Sequence, residues 1–235
     1  MKKVNIKVEK KNYFVREQFK TLRTNIKFSG DDKQVIMLTS CVPGEGKSYV
    51  AVELAKSIAE MGKSVILIDC DLRKSVMMSR LEITETVQGL THFLTGQCQL
   101  KDAIVATNIM KMHLLLAGPI APNPTELLES SRFEKLITYL RTVYDYIIID
   151  CPPLGILADA AIIARQCDGA ILVVKAGDTK YRLVQEVKAQ LELTGVTLMG
   201  GVLNQIEHTK GKGYYGKYYG GKYAKYGEQA EPEEE

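Results

Sequence analysis

Residues 40–48 read SCVPGEGKS, and this stretch decides the fold. From Cys41 to Ser48 it matches the pattern G-x-x-x-x-G-K-[ST], with cysteine in place of the first glycine. Glycines at 44 and 46 let backbone N–H groups turn towards phosphate oxygens, and the N-terminus of a following helix adds its dipole. An apolar run precedes the loop and a helical pattern follows it, so these residues predict a phosphate-binding loop.

Further along the chain, apolar runs alternate with helical patterns. This alternation predicts an α/β fold of the P-loop NTPase type, with a mostly parallel sheet covered by helices on both faces. Strands are expected at 35–39, 65–68, 114–116, 146–149, 170–174 and 196–203. Helices are expected from Val15 onwards and at 47–61, 131–142 and 180–193, with Gly62 ending the second of these.

Length and composition limit the possibilities further. The 235 residues are 46% hydrophobic and 25% charged, as expected of a soluble domain with a sizeable core. A net charge of +3 does not favour nucleic-acid binding, and no apolar run reaches the ~20 residues of a membrane span. Five cysteines without metal-like spacing favour a reducing cytosol. We therefore expect a flexible arm at 1–12, a nucleotide-binding domain at 13–207 and a disordered tail at 208–235.

Acidic residues follow two of the apolar runs. Residues 66–71 read ILIDCD and residues 147–150 read IIID, which places Asp69, Asp71 and Asp150 at the carboxyl edge of the sheet. A single aspartate at a strand end is more often a cap or turn residue, but three beside a phosphate-binding loop favour a metal and catalytic site. Lys47 would contact the β- and γ-phosphates of ATP, and Ser48 would hold Mg²⁺.

The carboxylates can divide the chemistry. Asp69 and Asp71 are one residue apart and point the same way on an extended chain, so one can help hold the metal while the other accepts a proton. A proton acceptor is needed because ionising a tyrosine of pKa near 10 at pH 7 costs roughly 4 kcal/mol. Asp150 would polarise a metal-bound water. The expected nucleotide-binding residues are Gly44, Glu45, Gly46, Lys47, Ser48 and Tyr49.

Near the C-terminus, residues 214–226 read YYGKYYGGKYAKY and hold six of the twelve tyrosines. Residues 208–227 contain no aliphatic side chain larger than alanine, so burial cannot offset roughly 1–2 kcal/mol of ordering entropy per residue. A flexible row of phenols beside a nucleotide site indicates a protein that phosphorylates its own tyrosines. The expected acceptors are Tyr214, Tyr215, Tyr218, Tyr219, Tyr223 and Tyr226.

Together these motifs closely resemble the bacterial tyrosine kinases that control capsular and exopolysaccharide synthesis. The resemblance implies a tyrosine kinase domain at 13–207 and an Asn204 placed against the adenine. It also implies that Asp69 is the base for the incoming phenol and that Asp71 and Asp150 support Mg²⁺ together with Ser48. The catalytic set is then Asp69, Lys47 and Asp71. A plain turn residue at the end of a strand remains the alternative for Asn204. Arg73 and the family-like stretch at 123–136 (NPTELLESSRFEKL) have no assigned role.

The resemblance also implies an assembly. Glu17, Lys20 and Arg23 resemble the family's E-x-x-R-x-x-R oligomerisation motif, with lysine in place of the first arginine, so a ring of subunits is expected; a solvated helix face is the alternative. Without membrane helices, the chain resembles the separate kinase of the family's split form. It has two expected protein partners: a transmembrane activator, which is the polysaccharide co-polymerase protein, and a cognate phosphotyrosine phosphatase. The kinase would be cytoplasmic and recruited to the membrane's inner face by the activator.

Two other functions remain open. The first is a partitioning or cell-division ATPase, which usually has a lysine five residues before the loop lysine; this chain has Val42 there. The second is single-stranded nucleic-acid binding by the tail, where five lysines alternate with tyrosines at 208–227. The five glutamates that follow oppose the second reading, so no nucleic-acid partner is expected.

Overall fold

A single mixed sheet runs through the protein in the computed structural model, which describes residues 1–7, 11–30 and 32–206. The strands of this described part are β1 Lys2–Lys3, β2 Val35–Ser40, β3 Val65–Asp69, β4 Ile104–Ala106, β5 Met112–Leu115, β6 Tyr146–Asp150, β7 Gly169–Lys175 and β8 Thr197–Asn204. Its helices are α1 Tyr13–Phe28, α2 Lys47–Glu60, α3 Met77–Arg80, α4 Leu90–Leu94, α5 Leu100–Ala103, α6 Pro124–Glu129, α7 Ser131–Arg141, α8 Asp159–Ala164 and α9 Tyr181–Leu193.

The strand order explains where the site lies. The sheet runs β1-β4-β5-β3-β6-β2-β7-β8, and every described pair is parallel except β4 with β5. The central strands β3, β6 and β2 are therefore neighbours, and their carboxyl ends meet at one edge. The loops that follow these three strands carry the phosphate-binding motif and the three aspartates, so chain segments distant in sequence converge there.

Helices cover both faces of the sheet, as the apolar strands predict. Side chains of β2 alternate between the faces, with Val35 and Met37 in one buried cluster and Ile36 and Leu38 in the other. Helices α1, α2 and α3 contribute to the cluster that holds Ile36, while α4, α7, α8 and α9 contribute to the opposite one. The expected α/β class with a mostly parallel sheet is confirmed.

The N-terminal segment differs from expectation. Residues 2–6, predicted to belong to a flexible arm, are instead packed on the sheet: Lys2–Lys3 pair with β4, and Val4 and Ile6 are buried. The amide of Val4 donates to the carbonyl of Ala106, and that of Ile6 to the side chain of Asn108, both at 2.9 Å. The lysine-rich composition concealed two apolar side chains at alternate positions, which is the spacing of a strand edge.

Several short elements were also missed. Helices α3 to α6 and α8 have four to six residues each, too few for a helical period to show in the sequence. The three-residue β4 was missed for the same reason, and the strand expected at 114–116 begins at Met112. The predicted disordered tail at 208–235, with its six tyrosines, lies outside the described residues. Within them, no helix has the length and apolar character needed to cross a membrane.

Candidate nucleotide and phosphoryl-transfer site

The phosphate-binding loop connects β2 to α2 as the sequence predicts. Gly46 has φ +86° and stands immediately before the first residue of α2. A Cβ on Gly46 would lie 2.1 Å from the side-chain nitrogen of Asn204, so both its conformation and its surroundings require glycine. Without a side chain at Gly46, the loop backbone can come close to a phosphate group.

Asn204 supports the phosphate-binding loop through a hydrogen bond to its backbone. Its side-chain amide donates to the carbonyl of Glu45 at 2.9 Å, and the neighbouring Gln205 donates to the carbonyl of Gly44 at 3.1 Å. The end of β8 is thus attached to the phosphate-binding loop by two hydrogen bonds. Asn204 therefore lies beside the phosphate-binding loop and supports it, and its placement against the adenine stays a prediction.

Glu45 is an internal support rather than an exposed ligand. Its side chain is buried, and its carboxylate accepts hydrogen bonds from the amides of Val42 at 2.8 Å and Lys175 at 3.2 Å and from the hydroxyl of Thr179. These partners connect the loop to the end of β7. Because these hydrogen bonds occupy the Glu45 carboxylate inside the protein, we expect Glu45 to contact a nucleotide only through its backbone.

Tyr49 points away from the loop. Its ring packs edge-on against Phe19 of α1, with a centroid separation of 6.0 Å, and the ammonium of Lys11 lies 4.7 Å from the ring centre. The expected nucleotide contact of Tyr49 is therefore not supported by the position of its side chain. The contact instead joins α1, which contains Phe19, to α2, which contains Tyr49.

Lys47 lies among the predicted carboxylates. Its ammonium nitrogen is 3.7 Å from a carboxylate oxygen of Asp71 and 3.8 Å from one of Asp150, and it lies 3.4 Å from the Ser48 hydroxyl. Burial lowers the pKa of Lys47, but Asp150, Asp71 and Asp69 outweigh this effect and raise it overall. The lysine is therefore charged at pH 7.

Asp69 is the most perturbed carboxyl of the set. Burial and then the charge of Asp150 raise the pKa of Asp69 to about 7, against opposing hydrogen bonds from the Ser75 hydroxyl and the Asp71 amide. Burial also raises the pKa of Asp150, although the nearby Lys47 opposes the shift. A carboxyl poised near neutrality, beside one that is held close to a cation, is suited to exchanging a proton.

The oxygen donors at this edge suit Mg²⁺ bound with a nucleotide. One carboxylate oxygen of Asp150 is buried without a hydrogen-bond partner among the described residues, and a cation would satisfy it. Ser48 and Asp71 supply further hard oxygen ligands. No group of three or more His, Cys, Asp or Glu side chains in the described part of the chain is arranged to hold a metal ion alone. Nucleotide-bound Mg²⁺ typically uses one or two carboxylates plus phosphates and water, so the set fits that ion.

Arg73 has no role that its sequence pattern predicts, but its contacts make it a functional candidate. Its guanidinium binds both carboxylate oxygens of Asp159, at 2.6 and 3.0 Å, and donates to the Thr125 hydroxyl at 3.1 Å. Thr125 belongs to the family-like stretch at 123–136, which therefore gains a structural contact with the site loop. The signal available in the sequence was the spacing Asp69, Asp71, Arg73, but the partner 86 residues away could not be identified from it.

The three residues of the expected oligomerisation motif lie on α1. Glu17 and Lys20 form an ion pair of 2.5 Å with each other, whereas Arg23 donates to the backbone carbonyl of Ser57 in α2 at 2.5 Å. Arg23 thus has an intramolecular contact, and Glu17 and Lys20 are half-buried side chains on the same helix.

Three cysteines adjoin the site motifs. Cys41, Cys70 and Cys151 are all fully buried. Burial raises the pKa of Cys41 to about 11 and raises those of Cys70 and Cys151 strongly. Such thiols are protonated at pH 7 and behave as small packing residues.

Comparison with known proteins identifies the family. Residues 33–191 match the family described as AAA domain. Tyrosine-protein kinase CpsD of Streptococcus agalactiae is 43% identical over 203 residues, which cover 86% of this chain and 89% of that protein. The kinase domain of Escherichia coli tyrosine kinase ETK is similar in structure, with a TM-score of 0.80 and 27% identity over 88% of this chain and 85% of that one.

The alternative ATPase class shares the fold more distantly. The septum site-determining protein MinD from Pyrococcus horikoshii OT3, solved with Mg-ADP, has a TM-score of 0.65 and 26% identity over 75% of this chain and 72% of that one. The 43% identity with CpsD, the higher TM-score of the ETK kinase domain and Val42 in place of the ATPases' signature lysine argue against the partitioning alternative. The chain therefore belongs to the bacterial tyrosine-protein kinases, on a nucleotide-binding fold that it shares with cell-division ATPases.

Proposed function

We propose that this protein is an ATP-dependent protein-tyrosine autokinase that phosphorylates the tyrosines at 214–226 of neighbouring subunits and so regulates capsular or exopolysaccharide synthesis and export. The observation that carries the proposal is that the Lys47 ammonium, next to the phosphate-binding loop, lies within 4 Å of carboxylate oxygens of both Asp71 and Asp150. The buried Asp69 is paired with Asp150 on the neighbouring strand. This arrangement supplies a cation, oxygen ligands and a proton acceptor at one edge of the sheet.

The chain's own residues divide the chemistry. The loop amides and Lys47 hold the phosphates, and the lysine stabilises negative charge as it moves during transfer. Ser48, Asp71 and Asp150 would hold Mg²⁺, which would offset part of the charge of the γ-phosphoryl group that ATP supplies.

Asp69 acts on the acceptor. The tyrosine oxygen forms the new bond to phosphorus as the bond to the ADP oxygen breaks, and Asp69 takes the phenolic proton. The pKa of Asp69, raised to about 7, makes it a better proton acceptor than an ordinary aspartate. One carboxylate oxygen of Asp69 accepts a hydrogen bond from the Ser75 hydroxyl and the other accepts one from the Asp71 amide. These two hydrogen bonds set the direction of the carboxylate.

The proposal includes an assembly at the membrane. Subunits joined through α1 in a ring would present each tail to a neighbour's site at an effective concentration near millimolar. A transmembrane activator, the polysaccharide co-polymerase, would bring the cytoplasmic kinase to the inner face of the membrane, and a cognate phosphatase would reset it. The resemblance of the Glu17–Arg23 motif and of the whole chain to the split kinases supports these partners.

Mass spectrometry of the purified protein after incubation with Mg-ATP tests the function. We expect phosphate on the six tail tyrosines and none on Tyr139, Tyr144 or Tyr146. Tyr144 is buried and its hydroxyl lies 2.7 Å from the ring nitrogen of His113, so it is a suitable internal negative control. Release of inorganic phosphate without phosphotyrosine would instead indicate an ATPase, and phosphate mainly before residue 200 would contradict the assignment of the acceptors.

A further inference from the structure

The loop that connects β3 to α3 (residues 70–76, the β3–α3 loop) contains its own network of hydrogen bonds. Asp71 accepts from the amide of Lys74 at 2.9 Å, and its own amide donates to Asp69 at 3.1 Å. The hydroxyl of Ser75 donates to the other carboxylate oxygen of Asp69. The conformation of this loop therefore determines where both carboxylates point.

Arg73 lies at the centre of this loop and faces outwards from it. Its guanidinium makes a two-point contact with Asp159, the first residue of α8, and also reaches Thr125 in α6. The Thr125 hydroxyl donates to Asp159 at 3.0 Å, which closes a triangle of three side chains. Burial raises the pKa of Asp159, but hydrogen bonds from Arg73 and Thr125 outweigh it and lower the pKa overall, so Asp159 is ionised.

We infer that Arg73, Thr125 and Asp159 form a clasp that positions the β3–α3 loop, and through it Asp69 and Asp71, for phosphoryl transfer. This inference rests on the proposed kinase function. Arg73 is two residues from Asp71 and two from Ser75, so a fixed guanidinium restrains the backbone on both sides of it. The clasp ties this loop to α6 and α8, which pack against each other on one face of the sheet.

Two features argue for positioning rather than stability alone. The Arg73 side chain is 39% exposed while its partner Asp159 is buried, and lysine at position 73 would keep a positive charge beside that carboxylate, so Arg73→Lys removes the geometry of the contact and not its charge. The two-point geometry of Arg73 fixes direction, and lysine cannot reproduce it because an ammonium is a point charge. A group that holds reacting residues in place affects rate strongly, since a misplacement of about 1 Å can reduce it about a hundredfold.

The chain contains a matched control for this test. Arg141 also contacts both carboxylate oxygens of its partner Asp168, at 2.8 and 2.7 Å, and its side chain is 33% exposed. Asp168 accepts from the amides of Gln34 and Val35 at the start of β2, the opposite edge of the sheet from the site. Arg141→Lys therefore removes the same kind of two-point contact between an arginine and an aspartate, at a position far from Asp69 and Asp71.

The experiment compares Arg73→Lys with Arg141→Lys. Both should lower thermal stability by a similar small amount, but Arg73→Lys should lower kcat for autophosphorylation at least about tenfold while leaving the KM for ATP within about threefold. Thr125→Val should also lower kcat, and Thr125→Ser, which keeps the hydroxyl, should restore it. Equal kcat for the two lysine variants, or a rise in KM that accounts for the whole loss, would overturn the clasp.

A second readout does not depend on phosphoryl transfer. Amide hydrogen exchange of residues 70–76 in the nucleotide-free protein should be faster in Arg73→Lys than in the wild type and unchanged in Arg141→Lys. Unchanged exchange in Arg73→Lys would also overturn the clasp. A wild type that forms no phosphotyrosine, but whose loop exchange still responds to Arg73→Lys, would contradict the proposed function and leave the positioning of the loop supported.

Discussion

Asp69 and Asp150 lie directly opposite each other, as paired residues at the ends of the neighbouring parallel strands β3 and β6. Both are 1% exposed, so two carboxylates that could carry like charges face each other away from water. Burial and this pairing hold the pKa of Asp69 near 7, while Lys47 lies 3.8 Å from Asp150 and favours its charged form. The strand register thus places two buried carboxylates with raised pKa values side by side, of which Asp150 lies within 4 Å of the Lys47 ammonium.

Replacing Lys47 with methionine should abolish phosphotyrosine formation. The change removes the cation that stabilises the transferring phosphoryl group, which is typically worth several kcal/mol and therefore orders of magnitude in rate. It also leaves Asp71 and Asp150 without their shared partner. Lys63→Met is the control, because Lys63 pairs with Asp145 at the opposite edge of the sheet, 3.1 Å away. Anti-phosphotyrosine blotting measures the result, and near-normal phosphorylation of the Lys47 variant would contradict the site.

Replacing Asp69 with asparagine should lower phosphoryl transfer by about 10²–10⁴-fold with little loss of ATP binding, because asparagine keeps the size but cannot accept the proton. In the wild type, kcat/KM should rise as pH increases through about 7, since the base must be deprotonated. The variant should lack this inflection. Equal losses in ATP affinity, measured by calorimetry, and in rate would make Asp69 a structural or metal-binding residue instead.

The same substitution should change the pH dependence of stability. The folded-state pKa of Asp69 is raised from 3.8 to about 7, so its protonated form stabilises the fold at low pH and this contribution is lost as pH rises through that window. The loss is on the order of a few kcal/mol. The free energy of unfolding of Asp69→Asn minus that of the wild type should therefore be larger at pH 8 than at pH 4.

Urea unfolding at the two pH values measures this difference, and Asp145→Asn gives a control of opposite sign. Hydrogen bonds from Ser64 lower the pKa of Asp145 to about 2, so its contribution is present above 3.8 and is lost as pH falls towards 2. Asp145→Asn should be less stable than the wild type at pH 8. Parallel pH curves for the wild type and Asp69→Asn would show that the Asp69 pKa is not raised.

Alanine at Glu17 and Lys20 should give smaller assemblies without loss of thermal stability. These two side chains pair with each other on α1, so their removal leaves the fold intact. Arg23→Ala should also lower the melting temperature, because Arg23 holds α1 against Ser57 of α2. Light scattering gives the mass, and an unchanged mass for the double variant would exclude this face of α1 as the interface.

Phosphorylation should have a related effect on the wild type. Each phosphate adds roughly −1.5 to −2 charge at pH 7, so six would add roughly −9 to −12 and exceed the charge of the tail's lysines. Phosphorylated tails should repel one another, and the assembly should dissociate. The same mass before and after phosphorylation would rule out this electrostatic switch.

Most of the site follows from local sequence patterns. The loop at 41–48, the buried strands and the aspartates that end them are each recognisable within ten residues, because a strand, a tight glycine turn and a helix start have short-range requirements. The short helices and β4 could not be predicted, since elements of three to six residues do not show a period. The packing of the N-terminal segment on the sheet was hidden by its lysines, since only the buried Val4 and Ile6 carry an apolar signal.

The sequence by itself determined the chemistry of this protein: a phosphate-binding loop, three carboxylates at strand ends and a row of tyrosines. Only the tertiary structure decided how these groups act on one another. The register that sets Asp69 opposite Asp150, the support of the loop by Glu45 and Asn204, and the clasp of Arg73 with Asp159 join residues 81 to 159 positions apart. Such contacts depend on which strands become neighbours in the sheet, and that choice arises from packing of the whole core rather than from any local pattern.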